Sequence, residues 1–215
     1  MLPPLPVQVD RLVTLGWPAL AGLSESAFRS RLEPVVGLDV NGVHVDALLV
    51  PTRRLVDPHA AVAHLELRGR TGFTSMEVSE LASFVPLPSL QGPDDDAYLL
   101  LDPSPGPDTL DVPPASVVLP AGRTPLTVEE GVAWVAQVPE VLSDENCFSL
   151  AGSRSGDRRV PALWLSARRP RLGWCWQGAP HTWLGTASCA GRVGVGAGVD
   201  AGAGAEAVAR PVPVG

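Results

Sequence analysis

Near residue 147 the hydrophobic period changes, and that change constrains the fold more than any other feature of the chain. Upstream, apolar residues recur at helical spacing. Thr127 and Glu130 make a capping-box pattern ahead of Val128, Val132, Val135 and Ala136, and Pro139 ends the run. Downstream come three short runs, 147–152, 160–166 and 172–176, separated by the turn signals SGD and RRP. These predict three antiparallel strands in a meander. Helical segments followed by hairpin-connected strands imply an α+β fold. The expected form is a small, mainly antiparallel sheet with a C-terminal β-meander, covered by several short helices.

Other elements follow from local signals. Leu5, Val9, Leu12 and Val13 mark a first helix, with Gly16 placed to end it. Ser24 caps a second, carrying Phe28, Leu32 and Val35, which Pro34 is placed to end early. Residues 46–51 and 97–101 read as buried strands. Asp57-Pro58 opens a short helix through Leu65. Thr74 and Glu77 form another capping-box pattern ahead of Val78, Leu81, Ala82 and Val85, stopped by Pro86 and Pro88. Residues 102–125 are proline-rich and read as a connection. Residues 190–215 are dominated by Gly, Ala and Val, which lack large side chains to offset ordering entropy. The expected organisation is one domain over 1–189 and a disordered tail over 190–215. Gly196, Gly198 and Ala201 mimic a dinucleotide fingerprint, but neither the strand nor the βαβ unit it requires is present.

The net charge of −7 argues against a broad nucleic-acid interface, which needs a basic surface. A local basic patch would fall between Arg154 and Arg171. No stretch has the ~18 apolar residues of a membrane span. The N-terminus lacks the pattern of a signal peptide. Three cysteines without an export signal suggest reduced thiols and a cytoplasmic protein. The chain has no Lys, so every side-chain cation except His is a guanidinium, suited to bidentate recognition of carboxylate and phosphate.

Chemistry concentrates in residues 147–192, which hold all three cysteines, four of the six tryptophans and seven of the sixteen arginines. Cys147, Cys175, His181 and Cys189 have the ligand types of a Cys3His zinc site, though not the spacing of a standard finger. The alternative is that they are small buried hydrophobes. Cys175 or Cys189, activated by His181, would make a thiol nucleophile for a hydrolase or transferase. Burial between tryptophans would oppose that by raising the thiol pKa. The 152–159 loop offers Ser153, Arg154, Ser155, Arg158 and Arg159 to an anion. The alternative is a hairpin turn with its arginines solvated or paired. On a strand, Trp174 and Trp176 share one face and Cys175 the other, while Trp164 shares its face with Val160 and Ala162. Most of these rings are expected in the core, with His181 and Trp183 the most accessible. The leading expectation is a non-catalytic module. It would bind a small anionic ligand or an acidic partner segment between the 152–159 and 180–185 loops, with His181 and Trp183 as a wall. Neither a nucleic acid nor a membrane is expected as partner.

The segments RTPLTVEEGVAWVAQVPEVL, GSRSGDRRVPALWLS and LGWCWQGAPHTWLGTASCAGR resemble a family of bacterial proteins known as a domain of unknown function. The N-terminal QVDRLVTLGWPALAGLSE fits the same family. The resemblance covers about residues 8–192 and implies no particular activity, substrate or catalytic residue.

Overall fold

The fold was analysed in a computed structural model, which describes residues 1–38, 46–90, 92–195 and the backbone of 200–201. Among the described residues six α-helices are formed: α1 Leu5–Thr14, α2 Trp17–Leu20, α3 Glu25–Val36, α4 Pro58–Val62, α5 Val78–Ser83 and α6 Val128–Gln137. The main strands are β1 Ala47–Pro51, β2 Phe73–Thr74, β3 Ala97–Leu101, β4 Cys147–Ser149, β5 Arg159–Ser166, β6 Arg169–Trp176, β7 Leu184–Thr186 and β8 Gly191–Val193. The protein is α+β, with antiparallel and mixed sheets and short helices.

Two sheets share one apolar core. In the first, β3 lies between β1 and β8, antiparallel to both, and Asp200–Ala201 pairs with β8. All five residues of β3 are buried, so its AYLLL run is continuously apolar rather than alternating. The edge of β1 is closed by a side chain. Gln8 of α1 donates from Nε2 to Ala47 O and accepts from Leu49 N, each at 2.8 Å. In the second sheet the order is β7-β4-β5-β6-β2. Its antiparallel centre is the expected meander, with Ala162 opposite Ser149 and Val160 opposite Cys175.

Helix α6 lies between the sheets. It packs on β1, and its Trp134 stacks on Phe148 of β4 at 5.3 Å. Every residue of α6 is buried, so the helix is covered on all sides rather than along one stripe. Gly131 sets the approach, since a Cβ there would stand 2.4 Å from Leu150 Cδ2. The Thr127–Glu130 capping box forms as expected.

Several local expectations change. The Thr74–Glu77 pattern makes no capping box: Thr74 ends β2, its hydroxyl accepts from Met76 N, and α5 starts after Glu77. Pro34 does not end α3, which continues to Val36; Pro34 sits in the last turn, where little helix remains to disrupt. The boundary at 189 also moves. β8 pairs with β3, and Arg192 and Val193 are buried. A Gly-rich segment holds its place here because an interior strand supplies its hydrogen bonds. Residues 196–199 and 202–215 of the expected tail, with Gly196 and Gly198, lie outside the described residues, as does His44. Among the described residues, no helix is long and apolar enough to cross a membrane.

Candidate functional site

The 152–159 and 180–185 loops do not meet in a shared mouth. Register explains why. Arg159 pairs with Trp176 at one end of the β5–β6 hairpin. Leu184 pairs with Cys147, at the far end of β4 from that point. Five residues of strand separate the two levels, roughly 16 Å at 3.3 Å per residue. Trp183 O accepts from Cys147 N and His181 O from Asp111 N. The 155–159 bend instead meets the segment after Trp176, with Gln177 N donating to Arg158 O.

Most polar groups of the first loop are already used. Ser153 is fully buried, and its hydroxyl accepts from Val128 N at the start of α6. Arg154 donates to Ala151 O and Ser153 O, and burial lowers its pKa. Ser155 donates to Asp157. Arg159 is held by Asp157 and Glu80 and stacks over Phe84 and Trp174. Its pKa is raised, chiefly by the Asp157 hydrogen bond, and the backbone N–H of Arg159 chiefly lowers that of Asp157. Only Arg158 of this loop stays exposed with no carboxylate partner among the described residues, beside Trp176 and Gly178.

The aromatic rings are more accessible than a core assignment expects. Trp164 and Trp174 are half-buried against the core, while Trp176 and Trp183 are exposed, Trp176 to 54%. Trp174 and Trp176 share a face in an edge-to-face pair at 5.0 Å. Trp164 lies over Gly173, where an added Cβ would stand 2.3 Å from its ring. His181 packs against Trp183 at 5.2 Å.

The sulfurs and His181 are likewise dispersed. Cys147 donates to Ser143 O, Cys189 faces Thr124 Oγ1, and Cys175 feels the charge of Arg154. Burial pushes the Cys147 and Cys175 thiols up to about 11 and raises Cys189 as well. All three are therefore protonated at neutral pH, the opposite of an activated nucleophile. His59 and His64 bond to the backbone oxygens of Met76 and Leu15. Among the described residues, no three His, Cys, Asp or Glu side chains are grouped to hold a metal ion. The Cys3His zinc set is thus not assembled, and among the described residues no hydrogen bond joins His181 to a cysteine; the sulfur contacts of Cys147 and Cys189 go to Ser143 O and Thr124.

A different group of arginines converges. Two tight hairpin turns lie side by side, joined by Arg169 Nε donating to Thr71 O at 2.7 Å. Each has consecutive positive φ values: Arg68 51° and Gly69 73° in one, Ala167 52° and Arg168 61° in the other. These are the mirror-image turns that match strand twist. A non-glycine residue in that region costs about 1–2 kcal/mol. Both turns put an arginine at the tip. Arg68, Arg70 and Arg168 line a groove of about 550 Å³, whose lining also includes Glu140 and Asp144. None of the three makes an ion pair among the described residues, whereas Arg29, Arg31, Arg53, Arg54, Arg123, Arg159 and Arg192 all do. Behind the tips, Arg169 stacks on Phe73 at 4.8 Å, and Arg171 lies between Phe73 and Trp164 at 5.5 and 5.1 Å. Charge pattern alone placed a basic patch between Arg154 and Arg171. Arg68 and Arg70 lie outside that range, on a hairpin distant in sequence that the fold brings beside it.

A family model described as a family of unknown function (DUF5701) matches residues 11–195. Comparison with curated proteins and with solved structures returns no match to the chain. The matched span takes in the whole of the second sheet, β1, β3 and β8 of the first, and the last four residues of α1, and overlaps nearly all of the 8–192 stretch in which the motifs lie. The chain belongs to DUF5701, a family whose function is unknown.

Proposed function

We propose that the chain is a non-catalytic binding module that engages an acidic segment of a partner protein along the groove between the 66–71 and 166–169 hairpin tips. The reading rests on one observation. Arg68, Arg70 and Arg168 are exposed, unpaired among the described residues and gathered at one groove, whereas seven of the chain's other arginines are held by carboxylates. Guanidinium forks suit carboxylates, and exposed ones retain the freedom to meet them. Glu140 and Asp144 of the same groove would accept from the backbone N–H groups of an extended guest. An open, charged groove with no paired acid and base fits recognition better than chemistry.

The test is fluorescence anisotropy with a labelled Glu/Asp-rich peptide. The expected result is binding that weakens as salt rises, because exposed charges are screened. The triple replacement Arg68→Ser, Arg70→Ser and Arg168→Ser should weaken it at least about tenfold, with an unchanged melting temperature. Arg29→Ser, on a paired arginine elsewhere, should leave it intact. Equal binding by the triple variant would refute the assignment.

A further inference from the structure

A second concavity is built around buried charge. It lies between α6, the strand β3 and the 86–90 and 92–95 stretches, and has a volume of about 220 Å³. Its lining includes Arg53, Arg54, Tyr98, Glu129 and Arg192, with apolar cover from Leu90 and Pro93. A charged network lies behind it. Glu130 is fully buried; Arg192 reaches it through Nε at 2.5 Å and Nη2 at 2.8 Å, and Tyr98 donates to it at 2.7 Å. The cations of the network are satisfied. Arg192 also donates to Thr124 Oγ1 and Pro125 O. Arg53 donates to Glu129 Oε1 and to Phe84 O, and Arg54 to Asp94.

One acceptor is not. Glu129 is 8% exposed, and its Oε2 has no hydrogen-bond partner among the described residues. A buried carboxylate oxygen left unmatched is costly, and a guest that supplies a donor removes the cost. The balance of charge points the same way. Three arginines, Arg53, Arg54 and Arg192, face four carboxylates, Glu129, Glu130, Asp94 and Asp95. An anionic guest would find no free fork, while a cationic one would find an acceptor whose hydrogen-bonding capacity is unused. The volume falls below the ~300–1,000 Å³ usual for drug-sized ligands, so the guest is small.

We infer that this cleft binds a small organic cation, a primary amine or guanidine on a short apolar chain, whose N–H groups reach Glu129 while its chain lies against Leu90 and Pro93. The site is separate from the arginine groove and does not depend on it.

Thermal shift and calorimetric titration of the full chain test this, with putrescine, agmatine and ethanolamine as probes and succinate and glycolate as counterparts. At least one amine or guanidine should raise the melting temperature by roughly 3 °C at ten times its Kd, and neither carboxylate should. Glu129→Gln removes the charge but also weakens the link to Arg53, so a second variant is needed. At Gly92 an added Cβ would sit 3.8 Å from Arg192 Cδ and 3.9 Å from the Tyr98 ring, in ordinary contact. Gly92→Val therefore narrows the cleft while leaving every ion pair in place. Both variants should bind the same probe at least about tenfold more weakly. No response to any of the three probes, equal response to the carboxylates, or undiminished binding in Gly92→Val would overturn the inference.

Discussion

Replacing Arg192 with Met should lower stability by about 3–5 kcal/mol, because it leaves Glu130 charged and unpaired in the core. For a domain of this size that is a fall of roughly 6–20 °C in melting temperature. The carboxylate of Glu130 has three duties. It accepts the N–H of Thr127 at 2.7 Å, the hydroxyl of Tyr98, and both arms of Arg192. Burial acts against the charge of Arg192, but Glu130 outweighs it and its pKa rises; burial and the nearby Glu130 also raise the Tyr98 hydroxyl well above its ordinary value. Glu130→Gln should cost a similar amount, since it strands the guanidinium instead. The double variant, Glu130→Met with Arg192→Met, should recover part of the loss. A buried pair opposes its own desolvation, so removing both partners costs less than removing one. Chemical denaturation of the three variants checks this. Costs that simply add would contradict the coupling.

Phe148→Ala should cost about 3–5 kcal/mol, read from the same denaturation curves. Phe148 is fully buried in β4 and carries the stacked contact with Trp134 that joins α6 to the second sheet. Trp183→Ala gives the comparison. Its ring is exposed, and its structural hydrogen bond, to Cys147 N, comes from the main chain and survives the change. The expected loss there is within about 1 kcal/mol. A larger loss at Trp183 than at Phe148 would mean that the 180–185 loop, not the helix–sheet contact, organises this half of the molecule.

Helix caps and strand period were legible because they are local. Ser24, Asp57 and Thr127 each cap the helix that follows, and the 147–176 meander has the predicted order. What stayed hidden depends on contacts far apart in sequence. Glu130 read as a capping residue and is one, yet its second partner lies 62 positions away. That partner, Arg192, sat in a segment whose composition resembles a tail. Its order comes from pairing with β3, which composition does not encode. The groups of the expected anion site are taken up by internal partners for a related reason. Ser153, Arg154, Ser155 and Arg159 have the right chemistry, but their bonds go to Val128 N, nearby carbonyls, Asp157 and Glu80. A sequence shows which groups can bind an anion, not which are already bound. Arg68 and Arg168 show the reverse. Each was unremarkable alone, and the adjacency of two turns makes them a pair.

The binding assignment is tested most directly by following the arginine Nε–Hε resonances of the full chain by NMR during titration with a Glu/Asp-rich peptide. The signals of Arg68, Arg70 and Arg168 should move together and saturate, while those of Arg159 and Arg192, held by internal carboxylates, stay in place. Three unmoved tip arginines at peptide excess, or shifts confined to Arg159 and Arg192, would contradict it.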